Sequence, residues 1–283
     1  MSRFSPRQPR TRRLWGQARA MVLALGLAAC ATFDGGKFEV GYRAYQDGDF
    51  ATALDYWRPL AESGYALAQY NLGLMYAEGR GLDQDPAQAK AWLAKAAAQG
   101  VPEAAFNLAG FHLAGAEPDY RAARQLLEAA AEAGLSRAQH SLAKLHEYGL
   151  GGPKDPKQAH RYFSRAAAQG HLGAMYNLGK AYRDGRGVAA DEALSIRWFR
   201  SAAEAGYAKG QAKLGDRYAE GRGVPQDDLE AYVWTALAAR QGLPRADEKA
   251  AARKAKLSAA RLSEAEGRIA DFKPQTDLDW KTR

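Results

Sequence analysis

The chain of 283 residues has one cysteine, Cys30, so neither an internal disulfide framework nor a multi-thiolate metal site can be built from it. The apolar run Ala20 to Ala29 (AMVLALGLAA) has ten residues, half of the roughly 20 that crossing a bilayer core of about 30 Å requires. Acid is absent from the first 29 residues, which carry Arg3, Arg7, Arg10, Arg12, Arg13 and Arg19. Most of the net charge of +8 therefore sits in that segment, and the remainder sets 34 basic against 32 acidic side chains. A nearly neutral body gives little support to nucleic-acid binding or to adsorption on an anionic membrane. With 47% apolar and 25% charged residues, the rest is an ordinary foldable chain.

A basic stretch, a short apolar run and small residues before Cys30 describe a signal peptide over residues 1–29. Leu27-Ala28-Ala29-Cys30 resembles the lipobox of bacterial lipoproteins. That resemblance implies acylation of the Cys30 thiol, which becomes the new N-terminus, and anchoring by two or three acyl chains. Ala31 stands where aspartate would imply inner-membrane retention, so the expected location is the outer membrane, with the body facing the periplasm. Thr11-Arg12-Arg13-Leu14-Trp15 matches a twin-arginine signal only in part, and the export route stays open. Residues 30–37 read as the lipidated cysteine and a short tether, which would hold the body within about 25 Å of the bilayer.

Most of the remaining chain repeats at a period of 36. Tyr70-Asn71-Leu72-Gly73, with Tyr76 and Gly79, is followed by Phe106-Asn107-Leu108-Ala109, His140-Ser141-Leu142-Ala143, Tyr176-Asn177-Leu178-Gly179 and Ala212-Lys213-Leu214-Gly215. Each unit closes with an Ala-Ala pair and a glycine, from Ala96-Ala97 and Gly100 to Ala238-Ala239 and Gly242. The second unit, 101–134, is two residues shorter between its halves. Apolar residues three and four apart, such as Leu72 with Tyr76 and Ala89, Trp92 and Ala96, give each half one helical stripe. In the connector Gly79-Arg80-Gly81, repeated from Gly185 and Gly221, the first glycine can end a helix in the left-handed conformation. Asp85, Asp155, Asp191 and Asp227 stand where the second helix needs an N-cap, with Pro86 and Pro156 at the tolerated first helical position.

Loop, cap and small-residue positions recurring together closely resemble the Sel1-like repeats, long-looped relatives of tetratricopeptide repeats. The resemblance implies an all-α, right-handed α/α solenoid of about six helix hairpins with a C-terminal helical cap. Five repeats are expected at 65–100, 101–134, 135–170, 171–206 and 207–242. An ordinary tetratricopeptide-like hairpin at 38–64 precedes them, turning at Asp47-Gly48-Asp49. Capping helices should fill 243–273, the last opened by a capping box of Ser263 and Glu266, before a frayed tail over 274–283.

A catalytic constellation is hard to find. Ser141-Leu142-Ala143-Lys144 fits the S-x-x-K of serine acyl-enzymes, but the companion S-D-N and K-T-G motifs are absent. His140, His146, His160 and His171 crowd the third and fourth repeats without a recognised ligand pair, and His112 and His146 fall on a packing position elsewhere held by tyrosine. The Gly-Arg-Gly connectors read as turns, not as a nucleotide loop. Neither enzyme activity, nor a metal, nor a cofactor is expected. By the same resemblance, the two residues before each Leu-Gly face the concave surface. Tyr70, Phe106, His140 and Tyr176 would then form an aromatic row beside Asn71, Asn107 and Asn177, able to hold a protein or peptide backbone. In the competing reading the aromatic residues pack between helices and the asparagines bond loop carbonyls. The expected role is a cell-envelope scaffold or adaptor that binds a protein partner and no nucleic acid; the alternative is an enzyme, or enzyme activator, acting on peptidoglycan or β-lactams.

Overall fold

The computed structural model describes residues 34–275, which hold fourteen helices and, among the described residues, no strand. α1 (Asp34–Gln46) and α2 (Phe50–Glu62) come first. Five pairs follow: α3 (Ala66–Glu78) and α4 (Pro86–Ala98), α5 (Pro102–Leu113) and α6 (Tyr120–Glu132), α7 (Ser136–Tyr148) and α8 (Pro156–Ala167), α9 (Leu172–Asp184) and α10 (Glu192–Glu204), α11 (Ala208–Glu220) and α12 (Asp228–Arg240). α13 (Ala246–Lys254) and α14 (Ala259–Asp271) close the described chain. The signal segment and Cys30 lie outside the described residues. Two compact bodies, one up to Ala104 and one from Ala105, each have their own core.

Aspartate starts every second helix. Asp49, Asp85, Asp119, Asp155, Asp191 and Asp227 each accept a first-turn backbone N–H at 2.8–3.1 Å, which satisfies a donor the helix cannot. Four of these caps were expected, and Asp49 and Asp119 add the same device to the first hairpin and the short repeat. The first helices of the remaining four repeats end on Gly79, Gly149, Gly185 and Gly221, all left-handed at φ 64–70°.

In the N-terminal body Trp57, 1% exposed, anchors a core with Phe38, Tyr42, Leu60, Leu72 and Met75. Its indole N–H donates to the Phe38 carbonyl at 3.1 Å, and Gly41 leaves the space its ring needs. This packing corrects the expected tether. Residues 34–37 are already helical, because a helix nucleated by Phe38 on Trp57 and Tyr65 extends cheaply by another turn. In the C-terminal body one cluster is built on Phe163, Met175 and Leu178 and another on Leu214, Leu229, Leu237 and Ile269.

Two further expectations change at the C-terminus. α14 is capped by Ser258, not by Ser263, which lies inside the helix. The face of buried Ala265 and Ile269 with half-buried Leu262 sets the helix, and Glu266 pairs with Lys254 at 3.0 Å. The residues after Lys273 are not free as far as Gln275: its N–H donates to the Glu204 carbonyl at 2.9 Å, and Pro274 lies against Gly206.

Candidate interaction face

The first helices of the repeats carry the residues singled out by the sequence, and they sit at equivalent turns. In the N-terminal body Tyr70 is half-buried on α3, whereas Asn71 is buried at 8% exposure and so contributes little to an open surface. In the C-terminal body Phe106, Asn107, His140, Tyr176 and Asn177 are all half-buried.

The rings pack between repeats. Phe106 lies under the Arg137 guanidinium at 4.9 Å, His140 stacks on His171 at 4.4 Å, and Tyr176 meets Tyr207 edge-on at 5.8 Å. His140 and Tyr176 each take their partner 31 residues on, from the residue that caps the next repeat's first helix. Asn177 Nδ2 lies 3.0 Å from His140 Nε2, so this amide is committed to a neighbouring repeat. The packing reading therefore accounts for much of the row, while its outer edges remain open to a partner.

His140 is held neutral: burial first, then His171 and Lys144, bring its pKa down to about 3. His171 is also lowered, chiefly by burial, and its Nδ1 accepts the Ala174 N–H at 3.1 Å as the N-cap of α9. His146 is buried, stacked on Tyr162 at 5.7 Å and 3.1 Å from Arg124, as expected of a packing position. Among the described residues no three His, Cys, Asp or Glu side chains gather to hold a metal ion. Ser141 is half-buried in mid-helix, and Lys144 is exposed one turn further along α7.

Three devices escaped the sequence reading. Buried Gln69, Gln139 and Gln211, each just before the aromatic position, donate to the Ala61, Ala131 and Ala203 carbonyls of the preceding repeat at 3.0–3.2 Å. Each accepts in turn from Gln99, Gln169 or Gln241, thirty residues on, at 2.8 Å. Recurrence of glutamine at this 30-residue spacing was the signal that could have shown them. The second connector glycine presses on the previous repeat's second helix, as Gly151 does on Tyr120 and Gly187 on Pro156. The arginine between the connector glycines also reaches back, Arg80 to the Tyr45 hydroxyl at 2.7 Å and Arg186 to Glu147. An open cleft of about 450 Å³ beside the last connector is lined by Arg183, Asp184, Glu192, Arg217, Arg222 and Gly223, but its arginines are largely spent on internal pairs such as Arg217–Glu192 at 3.1 Å.

Together these features define an all-α solenoid of helix hairpins whose repeats are locked by caps, glutamine pairs and connector contacts. The Sel1 repeat model matches residues 66–101, 102–135, 136–171, 173–207 and 208–243, and the chain belongs to the Sel1 repeat family, whose repeats generally mediate protein–protein interactions. The matched spans lie within a residue or two of the expected repeats. A protective antigen of uropathogenic Escherichia coli with an SLR fold is similar, with a TM-score of 0.74 and 32% identity over 84% of this chain and 54% of that one. A Sel1 repeat protein from Oxalobacter formigenes has a TM-score of 0.71 and 29% identity over 84% of this chain and 73% of its own. Among curated relatives, an exopolysaccharide production negative regulator of Rhizobium leguminosarum is 32% identical over 51% of this chain and 64% of its own length. A protein of the same description from Rhizobium meliloti is 31% identical over 50% and 65%. The match thus spans less than two thirds of either regulator.

Proposed function

We propose that the chain is a non-catalytic scaffold or adaptor of the bacterial cell envelope that holds a protein or peptide partner against the first helices of its repeats. The observation that carries this reading is the alignment of half-buried aromatic and amide residues at equivalent turns of α5, α7 and α9. Their inner edges are used in packing, and their outer edges give rigid contact area at low entropy cost. Membership in a family of interaction repeats supports the same role. The Sel1 solenoid is typically non-catalytic, and the Ser141–Lys144 pair lacks its companion motifs. The reading includes acylation of Cys30 and residence at the outer membrane, facing the periplasm.

The test is crosslinking in intact cells, followed by detergent extraction, capture of the tagged chain and mass spectrometry. One recurrent partner, lost when Phe106 and Tyr176 are replaced by alanine in a variant that still folds, is the expected result. Turnover of peptidoglycan or acylation of Ser141 by penicillin would replace the scaffold with the enzyme reading. Mature protein from membranes should begin at an acylated Cys30; an unmodified N-terminus would remove the anchor.

The two rhizobial relatives favour a more specific reading, in which the bound partner belongs to the control of exopolysaccharide production. Deletion should then raise exopolysaccharide yield, and unchanged yield would detach the chain from that pathway.

A further inference from the structure

The charges on the first helices of the C-terminal body are unequally served. Its α7, α9 and α11 carry four acids, and every one has a cation. Glu147 holds Arg186, Asp184 holds Arg183 at 2.9 Å and Arg186 at 3.1 Å, Asp216 holds Lys249 at 2.9 Å and Arg253 at 2.7 Å, and Glu220 faces Arg222 at 3.4 Å. Burial alone would raise Asp216, but the hydrogen bonds from Lys249 and Arg253 outweigh it and hold the carboxyl low.

The cations of the same helices are not matched in return. Arg183, Lys213 and Arg217 pair with carboxylates, whereas Lys144, Lys180, Lys209 and Arg137 do not. Lys144 and Lys209 are exposed, Lys180 lies 6.0 Å from the Tyr176 ring and feels Glu147 and Asp184 without pairing with either, and Arg137 lies over Phe106. Their register is regular: Lys180 lies 36 residues after Lys144, and Arg137, His140 and Lys144 share one face of α7. Burial first, then Arg186 and Arg183, lower Lys180 against the opposing pull of Glu147 and Asp184, so a further anion would still be welcome at its ammonium. Beside these cations lie the edges of His140 and Tyr176, and at the end of α7 the Tyr148 ring is 56% exposed.

We propose that this face of the C-terminal body binds an extended acidic segment of another protein, whose carboxylates take up Lys144 and Lys180 while its side chains lie on the Tyr176 and Tyr148 rings. This rests on the scaffold reading and specifies the partner's chemistry. The intramolecular acids are already neutralised, so the surplus positive potential acts outward, and a carboxylate arriving there gains a charge pair without breaking one. The first repeat, in the N-terminal body, lacks an equivalent: Leu74 stands where Lys144 does, and α3 carries no basic residue.

The test uses the mature chain and a fluorescein-labelled ten-residue peptide alternating Glu and Ser, with its Gln-Ser counterpart as control, read by fluorescence anisotropy. Binding of the Glu peptide, at least about tenfold tighter than the Gln peptide and weakened between roughly 50 and 300 mM salt, is expected. Lys144→Glu with Lys180→Glu should weaken it by about tenfold or more and Lys144→Gln with Lys180→Gln by less, with unchanged circular dichroism, while Lys157→Glu, at an exposed position of α8, has little effect. Equal binding of the two peptides, or an equal loss with Lys157→Glu, overturns the assignment. Phosphatidylglycerol vesicles bound through the same two lysines in place of the Glu peptide would also overturn it, in favour of a lipid surface. Should the crosslinked partner persist undiminished in the charge-reversed variant, the acidic segment is excluded while the scaffold reading stands.

Discussion

Two joints of the C-terminal body solve the same problem with different chemistry. Between the fourth and fifth repeats, Gln211 is fully buried, donates to Ala203 and accepts from Gln241, and the neighbouring rings are Tyr176 and Tyr207. Between the third and fourth, Met175 fills the glutamine position, and the ring positions hold His140 and His171, with Asn177 on the former. In the first joint none of the four side chains Gln211, Gln241, Tyr176 and Tyr207 changes charge between neutral and mildly acidic pH. In the second, two imidazoles must both stay neutral. Equal repeat lengths and equal caps therefore do not make equal joints; the chemistry at two or three buried positions decides how each one responds to its surroundings.

Gly187 separates the joints most sharply. A side chain there would strike the Pro156 carbonyl at φ 75°, so Gly187→Ala should cost about 3 kcal/mol, from left-handed strain plus overpacking. At the other joint a Cβ on Gly223 would meet the Glu192 and Ile196 side chains, which can move, and Gly223→Ala should cost about half as much. Denaturant melts of the two variants measure the difference, and equal losses would show that connector contact does not discriminate between the joints.

The glutamine joint comes next. Gln211→Leu strands the Gln241 amide and takes one donor from the Ala203 carbonyl, which keeps the Gly206 N–H, and should destabilise by about 2 kcal/mol, to the same extent at pH 7 and pH 5. A loss that varied with pH would place a titrating group in this joint.

At the histidine joint the sign is set by the direction of the shift. His140 titrates near 6.5 when unfolded and at about 3 when folded, so its stabilisation is fully present above pH 6.5 and is lost as pH falls toward 3. Protonation is opposed first by burial and then by His171 and Lys144, and His171 must keep Nδ1 free to cap α9. Stability should fall by up to about 1.4 kcal/mol per pH unit for each such proton, best measured between pH 6.5 and 4.5, before the carboxylates titrate. His140→Gln should flatten that slope; an unchanged slope would assign the acid sensitivity to another group.

The smallest effect expected is that of a single cap. Asp191→Ala removes the oxygen that accepts from Leu194 and should cost about 1 kcal/mol, leaving both joints intact. A loss of several kcal/mol would mean that the cap also holds the third and fourth repeats together.

Local periodicity and punctuation were legible from the sequence alone. Glycines that end helices, aspartates that begin them and a 36-residue step gave fourteen helices little freedom to be anything else, because each signal acts within one or two turns of chain. The exceptions follow the same logic. Ser263 and Glu266 satisfied a local capping pattern, but the apolar stripe of Leu262, Ala265 and Ile269 began the helix earlier, at Ser258. Residues 34–37 looked like a tether until Phe38 found Trp57, nineteen residues on.

The candidate face was legible only as a row of positions. That Asn177 belongs to His140, that Asn71 is buried, and that Lys144 and Lys180 have no carboxylate while Asp216 has two cations depend on which side chains meet across 30 to 40 residues. A repeat places side chains in register through backbone geometry, which sequence spacing encodes. Whether two of them bond, stack or leave a charge unmatched is decided by packing between repeats, which only the tertiary structure contains.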